Sequence, residues 1–208
     1  MNKQETNKLY FSGEIVSEPV LTHTCYGEGF YEFNVRIPRL SGTDDVIPVT
    51  CPERLLVCSK LSTGQTINAV GQLRTHNKLE NERSRLIMTA FVQELLPTES
   101  ETHQNRIELT GYVCKPPQYR TTPLNREISD LLIAVNRGNR KTDYIPCIVW
   151  GRNARFASML SVGEFISLTG RIQSREYQKK ISETETETKT AYEVSVSTIV
   201  AEGRDVSR

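Results

Sequence analysis

The chain has 208 residues, 37% of them hydrophobic and 25% charged, with a formal net charge of +1. That make-up belongs to an ordinary globular protein and excludes fibrous, low-complexity and strongly polyanionic classes. No apolar run approaches the roughly 20 residues a membrane helix needs, so no membrane association is expected. The polar start, Met1 to Lys8, does not read as a secretory signal, which predicts a cytoplasmic protein.

Taken in chain order, the apolar pattern predicts strands near 8–17, 30–39, 45–51, 65–75 and 85–95, with a helix near Pro52–Leu61. Pro52 suits the first turn of that helix, where its missing N–H costs nothing. A polar stretch, Pro97-Thr-Glu-Ser-Glu-Thr-His-Gln104, reads as a linker. After it, Ile107, Leu109, Gly111 and Val113 alternate with Arg106, Glu108, Thr110 and Tyr112, the period of two of a half-buried strand. Pro116, Pro117 and Pro123 predict a turn or loop. Ile128–Arg137 and Thr142–Trp150 read as two strands joined by a Gly138-Asn139 turn. Arg152–Leu160 suits two helical turns, with Phe156, Met159 and Leu160 at helical spacing. Glu164–Tyr177 reads as a long strand with Gly170 at a sharp bend, and Thr190–Val200 closes the set. Alternating Glu/Thr at Glu183–Lys189 suits a mobile hairpin tip better than a solvated strand.

The second half repeats the first. At a spacing of 98, Asn7, Gly13, Pro19, Arg39, Asp45, Ile47, Pro48 and Arg54 fall on Asn105, Gly111, Pro117, Arg137, Asp143, Ile145, Pro146 and Arg152. At 99, Ser59, Leu61, Ser62, Gly64, Ile67 and Gly71 fall on Ser158, Leu160, Ser161, Gly163, Ile166 and Gly170. Five strands with a helix between the third and fourth is the order of an OB-fold, a small Greek-key barrel. The expected architecture is therefore all-β: two tandem OB-folds, residues 1–97 and 105–208, joined by 98–104.

Five cysteines (Cys25, Cys51, Cys58, Cys114 and Cys147) form no CxxC pair, and His23, His76 and His103 stand far apart. The cysteines read as reduced packing residues, and neither a metal nor another cofactor is expected. No Ser/His/Asp grouping, phosphate-cradling glycine loop or carboxylate–histidine cluster is visible, which argues against an enzyme. Charge is unevenly spread: residues 105–182 hold 13 Lys/Arg against 6 Asp/Glu, whereas 1–104 hold 10 against 13 and 183–208 hold 3 against 6. A basic segment between acidic flanks is the footprint of a polyanion binder, or else a solvated face.

Alternation places Tyr144, Pro146, Ile148 and Trp150 on one face of a strand and Ile145, Cys147 and Val149 on the other. Tyr144 and Trp150 are then roughly 20 Å apart along the strand. Arg171, Gln173, Arg175 and Tyr177 likewise align opposite Ile166, Leu168 and Ile172. Rings that share outward faces with guanidinium groups suit unpaired bases. Stacking contributes about 1–3 kcal/mol per base while cations meet the phosphates. Trp150, the sole tryptophan, also suits a packing role, and Tyr177 beside Lys179 and Lys180 suits a plain exposed hairpin tyrosine. Tyr112 and Tyr119 read as structural.

Ile133-Ala-Val-Asn-Arg137, Asp143-Tyr-Ile-Pro-Cys-Ile-Val-Trp-Gly151 and Gly170-Arg-Ile-Gln-Ser-Arg-Glu-Tyr177 resemble motifs of the bacterial single-stranded-DNA-binding proteins. So does Gly111 followed by Pro117-Gln-Tyr-Arg-Thr-Thr-Pro123. The resemblance spans about 105–200. It implies that Tyr144, Trp150 and Tyr177 stack on bases and that Arg106, Arg120, Arg152 and Arg175 line the path of the strand. Arg137, Lys141 and Arg171, in the same basic segment, complete the candidate set. It also implies an assembly of four OB-folds, which two chains of this kind would supply as a homodimer, and a nucleoid-associated role in DNA replication, recombination or repair.

Two departures from that family are visible. The first copy loses the ring platform, because the positions of Tyr144, Trp150 and Tyr177 are Val46, Pro52 and Lys78; Arg74, His76 and Lys78 retain phosphate-binding chemistry. The sequence closes with Gly203-Arg-Asp-Val-Ser-Arg208 instead of an acidic, aromatic-tipped tail, so tail-mediated recruitment of repair proteins is not expected. The leading expectation is a sequence-tolerant binder of single-stranded DNA, with RNA open because stacking does not read the sugar. A protein-interaction OB module with little DNA binding of its own is the alternative.

Overall fold

The computed structural model describes residues 6–39, 41–80, 83–97, 105–138, 141–180 and 186–202. The expected linker 98–104, Asn139 of the predicted turn and Glu183 to Glu185 of the predicted hairpin tip lie outside the described residues. The first copy contains β1 (Asn7–Ile15), β2 (Val20–Cys25), β3 (Glu28–Pro38), β4 (Asp44–Pro52), α1 (Glu53–Ser59), β5 (Thr66–Glu80) and β6 (Arg83–Leu96). The second contains β7 (Asn105–Val113), β8 (Gln118–Thr121), β9 (Glu127–Asn136), β10 (Thr142–Trp150), α2 (Gly151–Ser158), β11 (Phe165–Lys180) and β12 (Thr186–Ala201). Among the described residues no helix is long and apolar enough to cross a membrane.

Each copy closes into a five-stranded barrel, and both are OB-folds. In the first, β1 pairs with β3 and β5, β3 with β4, and β5 with β6, and a short parallel contact of β4 with β6 shuts the ring. In the second, β7, β9, β10, β12 and β11 close in the same order. The helices follow the third barrel strand, as expected. Inward positions are the predicted ones: Ile145, Cys147 and Val149 on β10 are buried, as are Ile166, Leu168 and Ile172 on β11. In and around α2 the buried residues are Ala154, Ala157 and Leu160, while Met159 is exposed at the helix end.

Two strands escaped the five-strand reading. β2 and β8 pair on the outer edge of β3 and β9, and every residue in them is exposed. With neither face buried, no alternation marks them. β8 lies between the prolines that predicted only a loop. The hairpin of β11 and β12 pairs out to Lys180↔Thr186, so Thr186 to Lys189, expected in a mobile tip, are strand residues. Gly71 and Gly170 sit where β5 and β11 shift register against β6 and β12. A Cβ at either would overlap a facing carbonyl oxygen, of Phe91 or Ser195, so the bend requires glycine.

The barrels meet through a pseudo-twofold junction. β1 and β7 pair antiparallel with Leu9↔Ile107 at the centre, flanked by Asn7↔Leu109 and Phe11↔Asn105. Beyond Gly71, β5 leaves β1 behind and its outer edge loses a backbone partner. Side chains take over. The Asn7 amide bonds both Leu73 C=O (2.7 Å) and Leu73 N–H (2.9 Å). Two residues on, Thr75 N–H donates to Asp143 Oδ1 (2.6 Å) and Thr75 C=O accepts from Arg137 Nη2 (3.2 Å). The second copy answers with Asn105 on Ile172 (2.7 and 2.9 Å) and Asp45 with Arg39 on Ser174 (2.7 and 3.0 Å). Arg39–Asp45 and Arg137–Asp143 are forked ion pairs with fully buried carboxylates.

Removing one partner of a buried pair leaves an uncompensated charge. Asp143→Ala is therefore expected to destabilise the chain by about 3–5 kcal/mol in urea unfolding. Glu14→Ala, which opens an exposed pair with Arg36, should leave the midpoint in place. Burial also pushes the Cys51 thiol up to about 12 and the Cys147 thiol up as well, while Cys25 and Cys58 are exposed. A thiol titration at neutral pH should modify Cys25 and Cys58 in the folded chain and reach Cys51 and Cys147 only in denaturant.

Candidate nucleic-acid interface

The outward face of β10 carries Tyr144, Pro146, Ile148 and Trp150, the last three at least half-buried and Tyr144 48% exposed. Trp150 ends the strand, and its indole N–H donates to Ser195 Oγ on β12 (3.1 Å). Ser195 pairs with Arg171 on β11, so Trp150 adjoins the outward row Arg171, Gln173, Arg175 and Tyr177. That row climbs the projecting hairpin. Tyr177 is 39% exposed, and the Arg175 guanidinium carbon lies 6.0 Å from its ring centroid. Gln173 is buried and donates to Glu193 (2.7 Å). Tyr144 stands apart, near the junction, where its own backbone N–H donates to Thr75 Oγ1 of the first copy (2.9 Å).

The candidate cations fall into three groups. Lys141 and Arg152 are exposed, with no ion pair among the described residues, and Arg175 is an exposed side chain 3.7 Å from Glu193. Arg106 and Arg120 are held at the surface by Glu108 (2.8 Å) and Asp130 (2.6 Å). A strand reaching them must compete with those carboxylates. Arg171 shares Asp45 with Arg39 across the junction (3.1 Å). Arg137 is a correction: it is only 19% exposed and its guanidinium is spent on Asp143 and on Thr75. It binds the two copies together and leaves the candidate set. The misreading arose because a buried arginine and an exposed one in a basic segment look alike in sequence.

Tyr119 and Tyr112 are tied into local packing. The Tyr119 hydroxyl donates to Glu127 (2.8 Å), whose other contacts go to Arg155, and the Tyr112 ring packs on Phe165 at 4.8 Å. Hydrogen bonds from Arg155 first and Tyr119 second hold the Glu127 carboxyl below its ordinary range. In the first copy, Val46 is exposed, Pro52 is buried at the start of α1, and Lys78 is exposed. Rings are nevertheless present on that face at positions the repeat did not flag. His23 stacks on Phe30 (4.9 Å, 9° between planes), Phe30 meets Phe91 at 6.0 Å, and the Arg74 guanidinium lies 3.3 Å over the Phe91 ring.

Comparison with known proteins follows the same division. Residues 104–200 match the model of the Single-strand binding protein family. The chain is 39% identical over 83 residues to Single-stranded DNA-binding protein 1 of Staphylococcus aureus strain COL, covering 36% of this chain and 50% of that protein. It is 35% identical over 83 residues to Single-stranded DNA-binding protein 1 of Lactococcus lactis subsp. lactis, covering 36% of this chain and 55% of that protein. The chain thus spans about half the length of the curated relatives it matches. The wild-type single-stranded DNA binding protein from Thermus aquaticus superposes with a TM-score of 0.71 at 19% identity, covering 97% of this chain and 95% of that one. That likeness extends the shared fold over both copies.

Proposed function

We propose that this chain, whose residues 104–200 match the model of the Single-strand binding protein family, binds single-stranded DNA without sequence preference, chiefly through its second OB-fold. The observation that carries the reading is the outward row of Trp150, Arg175 and Tyr177, with Tyr144 further along the same barrel and Lys141 and Arg152 exposed beside it. Ring faces stack on unpaired bases of any identity, and a duplex keeps those faces covered. Residues 105–208 would form the binding domain and 1–97 the scaffold and oligomer interface. Two chains would give the four OB-folds that the family resemblance implies. The proposed setting is the cytoplasm at the nucleoid, in replication, recombination or repair. No step in this reading calls for catalysis or a cofactor.

Titration of Trp150 fluorescence with oligo-dT and with duplex of equal length tests the reading. A preference for the single strand is expected, with affinity falling as salt rises because phosphate contacts release counterions. Three cations (Lys141, Arg152 and Arg175) predict a log–log salt slope near about −2, and Arg152→Ala should reduce its magnitude by about 0.7. Trp150→Ala, which removes the sole tryptophan and is therefore followed by anisotropy of a labelled oligo-dT, should cost about 1–3 kcal/mol of binding. Equal weak binding to both nucleic acids would overturn the proposal. Light scattering should report twice the 23.6 kDa chain mass; a stable monomer would overturn the dimer.

A further inference from the structure

The first OB-fold carries a cleft of about 950 Å³ lined by Arg74, His76, Lys78 and Phe91 of its own β5 and β6, by His23 of β2, and by Lys141 of the second copy. Among the described residues Glu32 is the one carboxylate on its lining, against five histidine, lysine and arginine side chains beside the clamped Arg137. Across this face run four planar groups from four strands: His23 stacked on Phe30, Phe91 tilted against Phe30, and the Arg74 guanidinium over Phe91. His23 is exposed and forms the outer end of that ladder, held by Thr22, whose hydroxyl lies 3.0 Å from Nδ1.

Strand register explains where the rings come from. Phe91 lies beside Thr50 in the parallel β4–β6 contact, and Ser195 lies beside Ile148 in the equivalent contact of β10 with β12. Phe91 thus occupies the place of the serine that Trp150 touches. Phe30 faces Pro52 on β4 as Ile128 faces Trp150 on β10. The patch that one indole covers in the second copy is covered in the first by a phenylalanine arriving from a different strand.

Arg74 has little use for its donors within the protein. Its Nε–H is buried with no acceptor among the described residues, and one Nη reaches Gln72 at 3.4 Å. Burial first, and repulsion from Arg137 second, lower its pKa to about 10. It stays charged at neutral pH, and a phosphate beside it would offset both effects.

We propose that this cleft is a second site for single-stranded nucleic acid, in which a base stacks on the outer end of the His23–Phe30–Phe91 ladder while Arg74, Lys78 and Lys141 hold the adjoining phosphates. The proposal rests on the reading of the second copy as the primary platform. The two sites are continuous. Thr142 lines the cleft and Tyr144 follows two residues on along the same face of β10, with its backbone N–H bonded to Thr75, another cleft residue. One strand therefore passes from the Trp150 face, over Tyr144, into the first copy.

The test uses the full chain, oligo-dT of about 8 and about 30 nucleotides, chosen against the site sizes of single OB-folds, and the variants His23→Ala/Arg74→Gln and Trp150→Ala. The double variant is expected to bind the long oligonucleotide about tenfold more weakly and to cover fewer nucleotides per chain, with short-oligonucleotide binding changed less than about twofold. Trp150→Ala should weaken both. Photocrosslinking of unsubstituted protein to iodouracil-containing oligonucleotide, which does not depend on the folding of any variant, should label peptides carrying His23 or Phe91. Unchanged affinity and coverage in the double variant, or crosslinks confined to the second copy, would overturn the second site while the Trp150 result left the first reading standing. A chain without single-strand preference would overturn both.

Discussion

The edge of a strand that outruns its neighbour has N–H and C=O groups that water or side chains must satisfy. This chain solves that problem twice, with the same residues. Along the outer edge of β5, Gly71 is paired by the backbone of Leu9, Leu73 by the amide of Asn7, and Thr75 by the Asp143–Arg137 fork. Along β11, Gly170, Ile172 and Ser174 are met by Ile107, Asn105 and the Asp45–Arg39 fork. An arginine and an aspartate side by side present a donor and an acceptor at the spacing of a strand edge. A buried ion pair adds little net stability over apolar packing, because desolvation offsets the attraction. What these pairs contribute is position: each barrel's fork grips the other barrel's hairpin.

That constraint changes the meaning of the internal repeat. Among the positions that stay identical between copies, Asn7 and Asn105, Arg39 and Arg137, Asp45 and Asp143, and Gly71 and Gly170 form the junction and the bends that feed it. They keep the two barrels in register. The outward rings Tyr144, Trp150 and Tyr177 are replaced by Val46, Pro52 and Lys78 in the first copy. Identity at the junction and bend positions thus marks architecture, whereas the ring positions Tyr144, Trp150 and Tyr177 lie where the copies diverge.

Much of the fold was legible because it is written in alternation and glycine placement. The inward rows of β10 and β11, the helix after the third strand, and the bend at Gly170 all follow from period and backbone sterics. β2 and β8 were not legible, since a strand exposed on both faces leaves no period. At the site, Tyr144 and Tyr177 stand outward as expected and Trp150 is half-covered. Arg137 misled because charge counts cannot see a partner, and its partner Asp143 was six residues away in plain view. The ladder of His23, Phe30 and Phe91 was missed for a different reason. Mapping the second copy's ring positions onto the first asks only whether Val46, Pro52 and Lys78 are aromatic. It cannot detect a ring that reaches the same patch from another strand.

The exchange of rings between strands has a steric logic. Where Trp150 stands, its indole reaches across to Ser195 at 3.1 Å, and a phenylalanine in that place would overlap it. Where Phe91 stands, the position matching the tryptophan is the buried Pro52, which is compact and opens α1. Large opposite small fills the same patch in either order, so the two arrangements exclude mixtures of each other. A homomeric barrel would carry one solution on every face. Two copies in one chain, held by a junction indifferent to that patch, can each keep a different one. The faces then differ in shape as well as charge: an indole beside a climbing arginine–tyrosine hairpin on one barrel, and a recessed guanidinium-capped stack on the other.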